Sequence, residues 1–424
     1  MEKLKPQKTL AVIGGGASGF FCACNAARMN PALHVVLFEK SNKLLAKVKV
    51  SGGGRCNVTH SFTDIPSFLQ NYPRGKNFLK RSFHVFNPED TIHWFLQRGV
   101  ELKQEKDGRI FPKSNQSQTI IDCLLNEVAR HGIEILLQKK VNQLSCKEVN
   151  SMSGFERNQF ILEFENGDKL KADYVCIACG GLANEYQYNW LKETKHSFIS
   201  PVPSLFTFNI PNHPILKLMG VSLNNVMIKI PELKEKMEGP LLITHWGFSG
   251  PAVLKLSAFA ARELARLQYQ FTIQINWLPE YNEHEIRDAF PGIRIRNSRL
   301  MVGGKNPFNI PSRLWTYFLD NAGILSSIRW ADLSSKQINK LIQILTGSLF
   351  KVHGKTTFKE EFVTSGGISL QEIHAQTMES KIHRGLYFCG EIMDVDGITG
   401  GFNFQYAWTS AWCAAKSIAS ASME

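Results

Sequence analysis

The stretch Thr9-Leu-Ala-Val-Ile13, followed at once by Gly14-Gly-Gly-Ala-Ser-Gly19, decides the reading of this chain. A short apolar run of β type enters a Gly-x-Gly-x-x-Gly, and Phe20 to Met29 continues as a helix. Each glycine has a task in that context. Gly14 permits the tight turn, Gly16 lets the backbone approach a pyrophosphate, and Gly19 lets the helix pack close to the strand. The helix start, with Ala17 and Ser18 in it, supplies free N–H groups and a positive dipole end for phosphates. A second β run, His34-Val-Val-Leu-Phe38, ends in Glu39, 20 residues after Gly19. That spacing puts a carboxylate where an adenosine ribose donates its hydroxyls. The acid favours FAD or NAD over a 2′-phosphorylated dinucleotide, with Lys40 beside it as a mild complication.

The rest of the chain chooses between the two. After the second strand comes Lys47-Val-Lys-Val-Ser51-Gly-Gly-Gly54-Arg55-Cys56-Asn57-Val58-Thr59, a backbone that passes close to something flat or charged. Near the other end, Leu386-Tyr-Phe-Cys389-Gly390-Glu391 reads as a strand running into a turn. It continues through Asp394 to Gly400-Gly401-Phe402-Asn403 and a final helix, Tyr406 to Ala419, a second helix start able to meet a polar ligand. A cofactor as long as FAD needs both chain ends: its ADP lies at the first, its ring at the second. Asn403 and the amides after Gly400-Gly401 are expected at the pyrimidine side of the flavin, and Glu391 and Asp394 at its ribityl or phosphate region.

The chain has 424 residues, 43% hydrophobic and 20% charged, with a formal charge of +12, which excludes disorder, collagen and coiled coil. The charge is clustered. Residues 40–81 hold nine Lys/Arg against the single acid Asp64, and residues 289–318 hold five and no acid. These windows are either solvated faces or a surface for a polyanion, RNA before acidic lipid. Nine cysteines, an odd number scattered in apolar sequence, argue for reduced thiols and a cytoplasmic setting. Thr9 to Ala27 and Ile398 to Ala415 are uncharged, but their glycines and amides make them poor lipid-spanning material, so no membrane segment is expected.

The blocks together resemble the YhiN-like flavoproteins of the two-dinucleotide type. The resemblance runs through Val12–Gly19, Ser51–Thr59, Gly108–Pro112, Thr244–Pro251, Val363–Ile368, Thr377-Met378 with Ser380-Lys381, and Gly385–Glu391 through Asn403. It implies an α/β fold: a Rossmann-like FAD domain built from both chain ends (1–198 and 356–424), with a β-barrel-like and small helical domain inserted at 199–355. It also implies reduction of a carbon–carbon double bond with NADH or NADPH as electron donor. Some members make dihydrouridine in large-subunit ribosomal RNA; others do small-molecule redox chemistry, including amine oxidation. The substrate expected here is ribosomal RNA, held through the two basic windows, with a small amine or enone as the alternative. After Cys179-Gly180-Gly181 this chain departs from the family pattern over 182–190, so only those three residues are carried over there. In similar FAD folds a strand near Val141 offers backbone groups to adenine.

Two residues are candidates for proton transfer. Cys56 sits beside Arg55, whose guanidinium would lower a thiol pKa; the bland reading is that it packs beneath the cofactor. His245, in the polar turn Thr244-His-Trp-Gly-Phe-Ser-Gly-Pro251, is either a general acid or a loop-orienting residue. Cys176-x-x-Cys179 has redox-dithiol spacing but straddles an apolar strand end, which favours buried structural thiols. The 12 histidines are dispersed and pair with no cysteine at ligand spacing, so no metal is expected.

Overall fold

The Thr9–Ile13 strand lies in the middle of a five-stranded parallel sheet. Its order is Leu386–Phe388, Tyr174–Ile177, Thr9–Ile13, His34–Phe38, Glu134–Leu136. The computed structural model describes residues 7–150, 156–304, 306–356 and 363–423. The central strands are near-continuous apolar runs because both sheet faces are covered, as parallel sheets require. The helix Ala17–Met29 packs along the helix Phe402–Met423, where small residues such as Ala411, Ala414 and Ala415 allow close approach. The expected α/β fold built from both chain ends is therefore present: the sheet's edge strand and its longest covering helix come from the C-terminal part.

Contacts divide the chain into two units, one comprising the chain up to Ser204 and again from Val363 onward, the other starting at Leu205. The second unit holds a seven-stranded antiparallel sheet whose edge strands, Ser348–His353 and Lys355–Thr356, are separated by Gly354 alone. Gly354 accepts from Asn209 N (3.2 Å) and donates to Tyr269 O (2.8 Å), so the sheet curls back upon itself in the barrel-like manner expected. Helices Glu283–Arg296, Ser312–Ala322 and Ser335–Gly347 complete this unit around Trp277, Trp315 and Trp330.

One sequence expectation is corrected. Ile133 to Gln143 reads as a single strand, but the chain breaks after Glu134–Leu136 and begins a different sheet at Val141–Asn150. Gln138 takes a left-handed conformation (φ 54°), and the Gln138 and Lys139 amides donate to Ser41 and Glu39 carbonyls. Local tertiary bonds thus override a continuous β pattern.

Candidate functional site

The crevice outside the carboxyl ends of a parallel sheet is where this architecture binds nucleotides. Here the turns Gly14–Gly19, Glu39-Lys40, Cys179–Gly181 and Gly390-Glu391 all follow neighbouring strand ends. Their spacing is tight enough to explain the glycines. A Cβ on Gly14 (φ 121°) would lie 2.4 Å from Ala178 O, and one on Gly19 would lie 1.9 Å from Gly14 O. A Cβ on Gly16 meets nothing within 4 Å. The helix Ala17–Met29 begins at Gly16 with neither a side-chain cap nor an acid in its first turn, leaving its N-terminal amides for a phosphate.

Glu39 accepts Gly15 N at 2.9 Å through Oε2 and Ser41 N at 2.8 Å through Oε1, which fixes its carboxylate at the end of its strand. Val141 begins the strand paired with Phe164, and the Phe164 ring lies 4.9 Å from that of Phe38. Val141 therefore stands on the Glu39 side of the crevice, and Lys40 is exposed there. On the opposite side Lys47 Nζ donates to Glu391 Oε2 at 2.6 Å, while Thr364 N donates to Glu391 Oε1 at 2.8 Å. Gly181 sits against both: a Cβ there would lie 2.4 Å from Thr364 Oγ1 and 2.7 Å from Glu391 Oε1. Gly390 is equally close to Ser18, with 2.6 Å from a built Cβ to Ser18 Oγ.

The glycine run after Lys47 does not lie flat. Gly52, Gly53 and Gly54 are all left-handed (φ 60°, 69° and 83°) within the segment Ala46–Gly54, turning the chain toward the C-terminal helix. A buried network then holds the two chain ends together: Thr59 Oγ1 and Thr91 Oγ1 donate to Gln405 Oε1 at 2.6 and 2.9 Å, and Trp408 Nε1 donates to Val58 O at 2.9 Å. Gly401 closes on this loop; a Cβ would lie 2.5 Å from Thr59 O and 2.9 Å from Asn57 Oδ1. The Phe402 ring stacks on His60 at 4.7 Å. Gly400 lies at the same turn, and the Asn403 amide exchanges two 2.8 Å hydrogen bonds with the Gly397 backbone, so its side chain shapes the turn. Asp394 is tied to the sheet through its amide, which donates to Ile368 O.

The expected activation of Cys56 is not what the structure shows. Burial pushes its thiol up to about 12, against a hydrogen bond with Ser51 that lowers it. The Arg55 guanidinium is directed elsewhere, bonding Glu105 at 2.7 Å and lying 4.0 Å from the Phe111 ring centroid. Nor do Cys176 and Cys179 form a pair: Cys176 Sγ lies 3.3 Å from Cys389 Sγ in the core, while burial pushes the Cys179 thiol up to about 12. In the second unit, His245 is exposed at the tip of a turn closed by Thr244 and Gly247, its ring 4.3 Å from that of Trp246.

The basic windows are partly spent within the protein. Lys47, Arg55 and Arg74 pair with Glu391, Glu105 and Asp396. Arg294 and Arg313 donate to backbone carbonyls of Trp330 and Lys217. Lys40, Lys43, Lys49, Lys80, Arg81, Arg296 and Arg299 remain exposed; Lys305 lies outside the described residues.

Sequence reasoning passed over Asp396. It is fully buried, takes both bonds of the Arg74 guanidinium and accepts Ser204 Oγ at 2.8 Å. A separation of 322 residues hides that pairing from any motif. It also passed over Thr364 Oγ1 and the Tyr188 hydroxyl. With Asn57 Oδ1, these are buried polar atoms lacking a hydrogen-bond partner among the described residues. Such groups cost free energy unless something bonds them. The glycine cradles, uncapped helix start, fixed Glu39 and orphaned Asn57 and Thr364 oxygens fit a dinucleotide cofactor of the FAD type.

Relatives match over nearly their whole length, three of them as follows. The chain is 29% identical to the ribosomal RNA dihydrouridine synthase of Haemophilus influenzae (96% of this chain, 97% of that one). It is 28% identical to the protein of that name from Escherichia coli (97% and 98%). It is 27% identical to the 3-dehydro-bile acid delta(4,6)-reductase of Clostridium scindens (97% and 98%). The HI0933-like protein Rossmann domain matches residues 8–417, and the chain belongs to that family.

Proposed function

We propose that this chain is an FAD-dependent oxidoreductase that uses NADH or NADPH to reduce a carbon–carbon double bond, and that its substrate is a uridine of large-subunit ribosomal RNA, reduced to dihydrouridine in the cytoplasm. The observation that supports the reading is that the Gly14–Gly19 turn, Glu39 and the Gly390-Glu391 turn all follow carboxyl ends of strands in one parallel sheet. The names of two full-length relatives support the substrate. Bound FAD would carry hydride from the nicotinamide to the substrate carbon. The protein's part is to hold the ribose at Glu39, place phosphate at the Ala17–Gly19 amides, and keep Lys47 and Glu391 paired beside them. Reduction also consumes a proton; His245 is the candidate donor, while the buried, strongly protonated Cys56 is a packing residue. A uridine must leave its stack to reach a flavin, which favours an unpaired segment of RNA.

The bile acid reductase relative favours a second reading, reduction of a conjugated steroid-like enone. Anaerobic incubation of the pure protein and NADH or NADPH with ribosomal RNA or with a dienone steroid separates the two. The RNA reading requires RNA nucleosides carrying two added hydrogens; reduced steroid with unaltered RNA would replace it by the enone reading.

A further inference from the structure

A cleft of about 820 Å³ opens between the helix Lys76–Phe83 with its preceding turn and the segment 370–381, lined by residues other than the dinucleotide candidates. Its size falls within the range of roughly 300–1,000 Å³ usual for ligand pockets. One wall carries Lys76, Phe78 and Arg81, the other Ile373, His374 and Lys381. Phe78 and Ile373 are buried and form an apolar floor, while Arg81, His374 and Lys381 are exposed at its rim. Among the described residues no carboxylate lines this cleft; Glu379 first appears in a smaller adjoining cavity of about 290 Å³ that shares Arg81 and His374. The walls are fixed to each other, because Ser82 Oγ donates to Ala375 O at 2.6 Å, and Lys381 Nζ is steadied by Gln371 O at 2.7 Å. The helix start adds to the positive field, since Gly75 (φ 82°) precedes it with no side-chain cap and no acid lies in its first turn.

We infer that this cleft is a second contact site for unpaired RNA, separate from the flavin crevice: phosphates lie against Lys76, Arg81 and Lys381, and a base lies on the Phe78–Ile373 floor. The inference rests on the RNA reading above and deepens it. An apolar floor with a cationic rim suits a nucleotide better than a bare anion, because base–aromatic contact and phosphate neutralisation are its two sources of affinity. The site also joins the end of the larger basic window to His374 and Lys381, which lie outside both windows.

The test uses the FAD-loaded protein and a short fluorescent oligouridylate, with anisotropy titrated across a salt series. Arg81→Ala with Lys381→Ala should weaken binding about tenfold or more and flatten the log K against log salt slope by about 1.4, two phosphate contacts at roughly 0.7 each. FAD content and melting temperature should not change, and Arg81→Lys with Lys381→Arg should bind as the wild type does. Wild-type affinity and slope in the double alanine variant would overturn the inference, as would equal loss in the charge-preserving variant with FAD retained. If the wild type reduces ribosomal RNA but the alanine variant does so with unchanged KM and kcat, the cleft alone is refuted. If the wild type leaves ribosomal RNA unreduced, the functional reading falls, and oligouridylate affinity still decides the cleft.

Discussion

Lys47 and Glu391 stand 344 residues apart in sequence and 2.6 Å apart in space, joining the segment after the second strand to the turn after the last. Lys47 is half exposed, so the pair itself adds little to stability, about 1 kcal/mol at most. On the proposed function, the pair balances a carboxylate that would lie beside the cofactor's pyrophosphate. Lys47→Ala is therefore expected to leave the melting temperature nearly unchanged while weakening FAD about tenfold, a change of roughly 1.4 kcal/mol. Fluorescence titration of apoprotein with FAD checks this; equal affinity would mean that Glu391 does not face the cofactor.

The glycines of the first turn separate folding from binding. Gly14→Ala meets Ala178 O in a left-handed backbone and is expected to destabilise the fold by several kcal/mol, or to prevent folding. A Cβ on Gly16 meets nothing within 4 Å, so Gly16→Glu should fold, but as colourless protein, because its carboxylate would fill the phosphate position. A yellow Gly16→Glu protein with full FAD content would refute the turn's assignment.

Arg74 and Asp396 make a pH-dependent pair. Burial holds the Asp396 carboxyl above the usual carboxylate range, although Arg74 and Ser204 favour its charge. Its contribution to stability is therefore complete below the unfolded value, about 3.9, and declines as pH rises through the folded one. Arg74→Ala strands the charge and should cost about 3–5 kcal/mol at neutral pH, with the deficit shrinking toward pH 4 as the carboxyl takes up a proton. Urea melts of wild type and variant across that interval measure it; a pH-independent deficit would show that the carboxylate is not the cause.

His196 has the opposite sign. Burial lowers it to about 4, with Nε2 2.8 Å from Ser380 Oγ. The unfolded imidazole protonates near 6.5, so stability present above that pH is lost as pH falls toward 4. The full shift corresponds to about 3 kcal/mol, and partial exposure discounts this to roughly 1–2. His196→Gln should flatten the stability curve between those pH values; an unaltered curve would assign the acid loss to other groups.

What the sequence made legible follows from locality. The Gly14–Gly19 turn, the strand-end place of Glu39 and the flanking strands match the structure because a turn, a helix start and a strand-end acid lie within one short βαβ run. The helix Ser335–Gly347, with its helical apolar spacing, and the hairpin whose strands Glu156–Phe164 and Lys169–Ala172 flank Asn166-Gly167 are legible for the same reason: periodicity and turn chemistry are local. Arg74 with Asp396, Thr59 with Gln405, and the Phe78–Ile373 cleft were not, because each joins residues hundreds of positions apart. Arg55 shows how adjacency misleads: next to Cys56 in sequence, it reaches across to Glu105 in space. The basic windows were legible as charge but not as surface, since three of the nine cations in the first are paired inside the fold.

The dihydrouridine content of large-subunit ribosomal RNA from cells lacking this chain bears most directly on its role. The expected outcome is loss of a dihydrouridine that the wild-type gene restores and the Gly16→Glu variant does not. Dihydrouridine at wild-type level in cells without the protein would contradict the RNA substrate and leave the enone reading in its place.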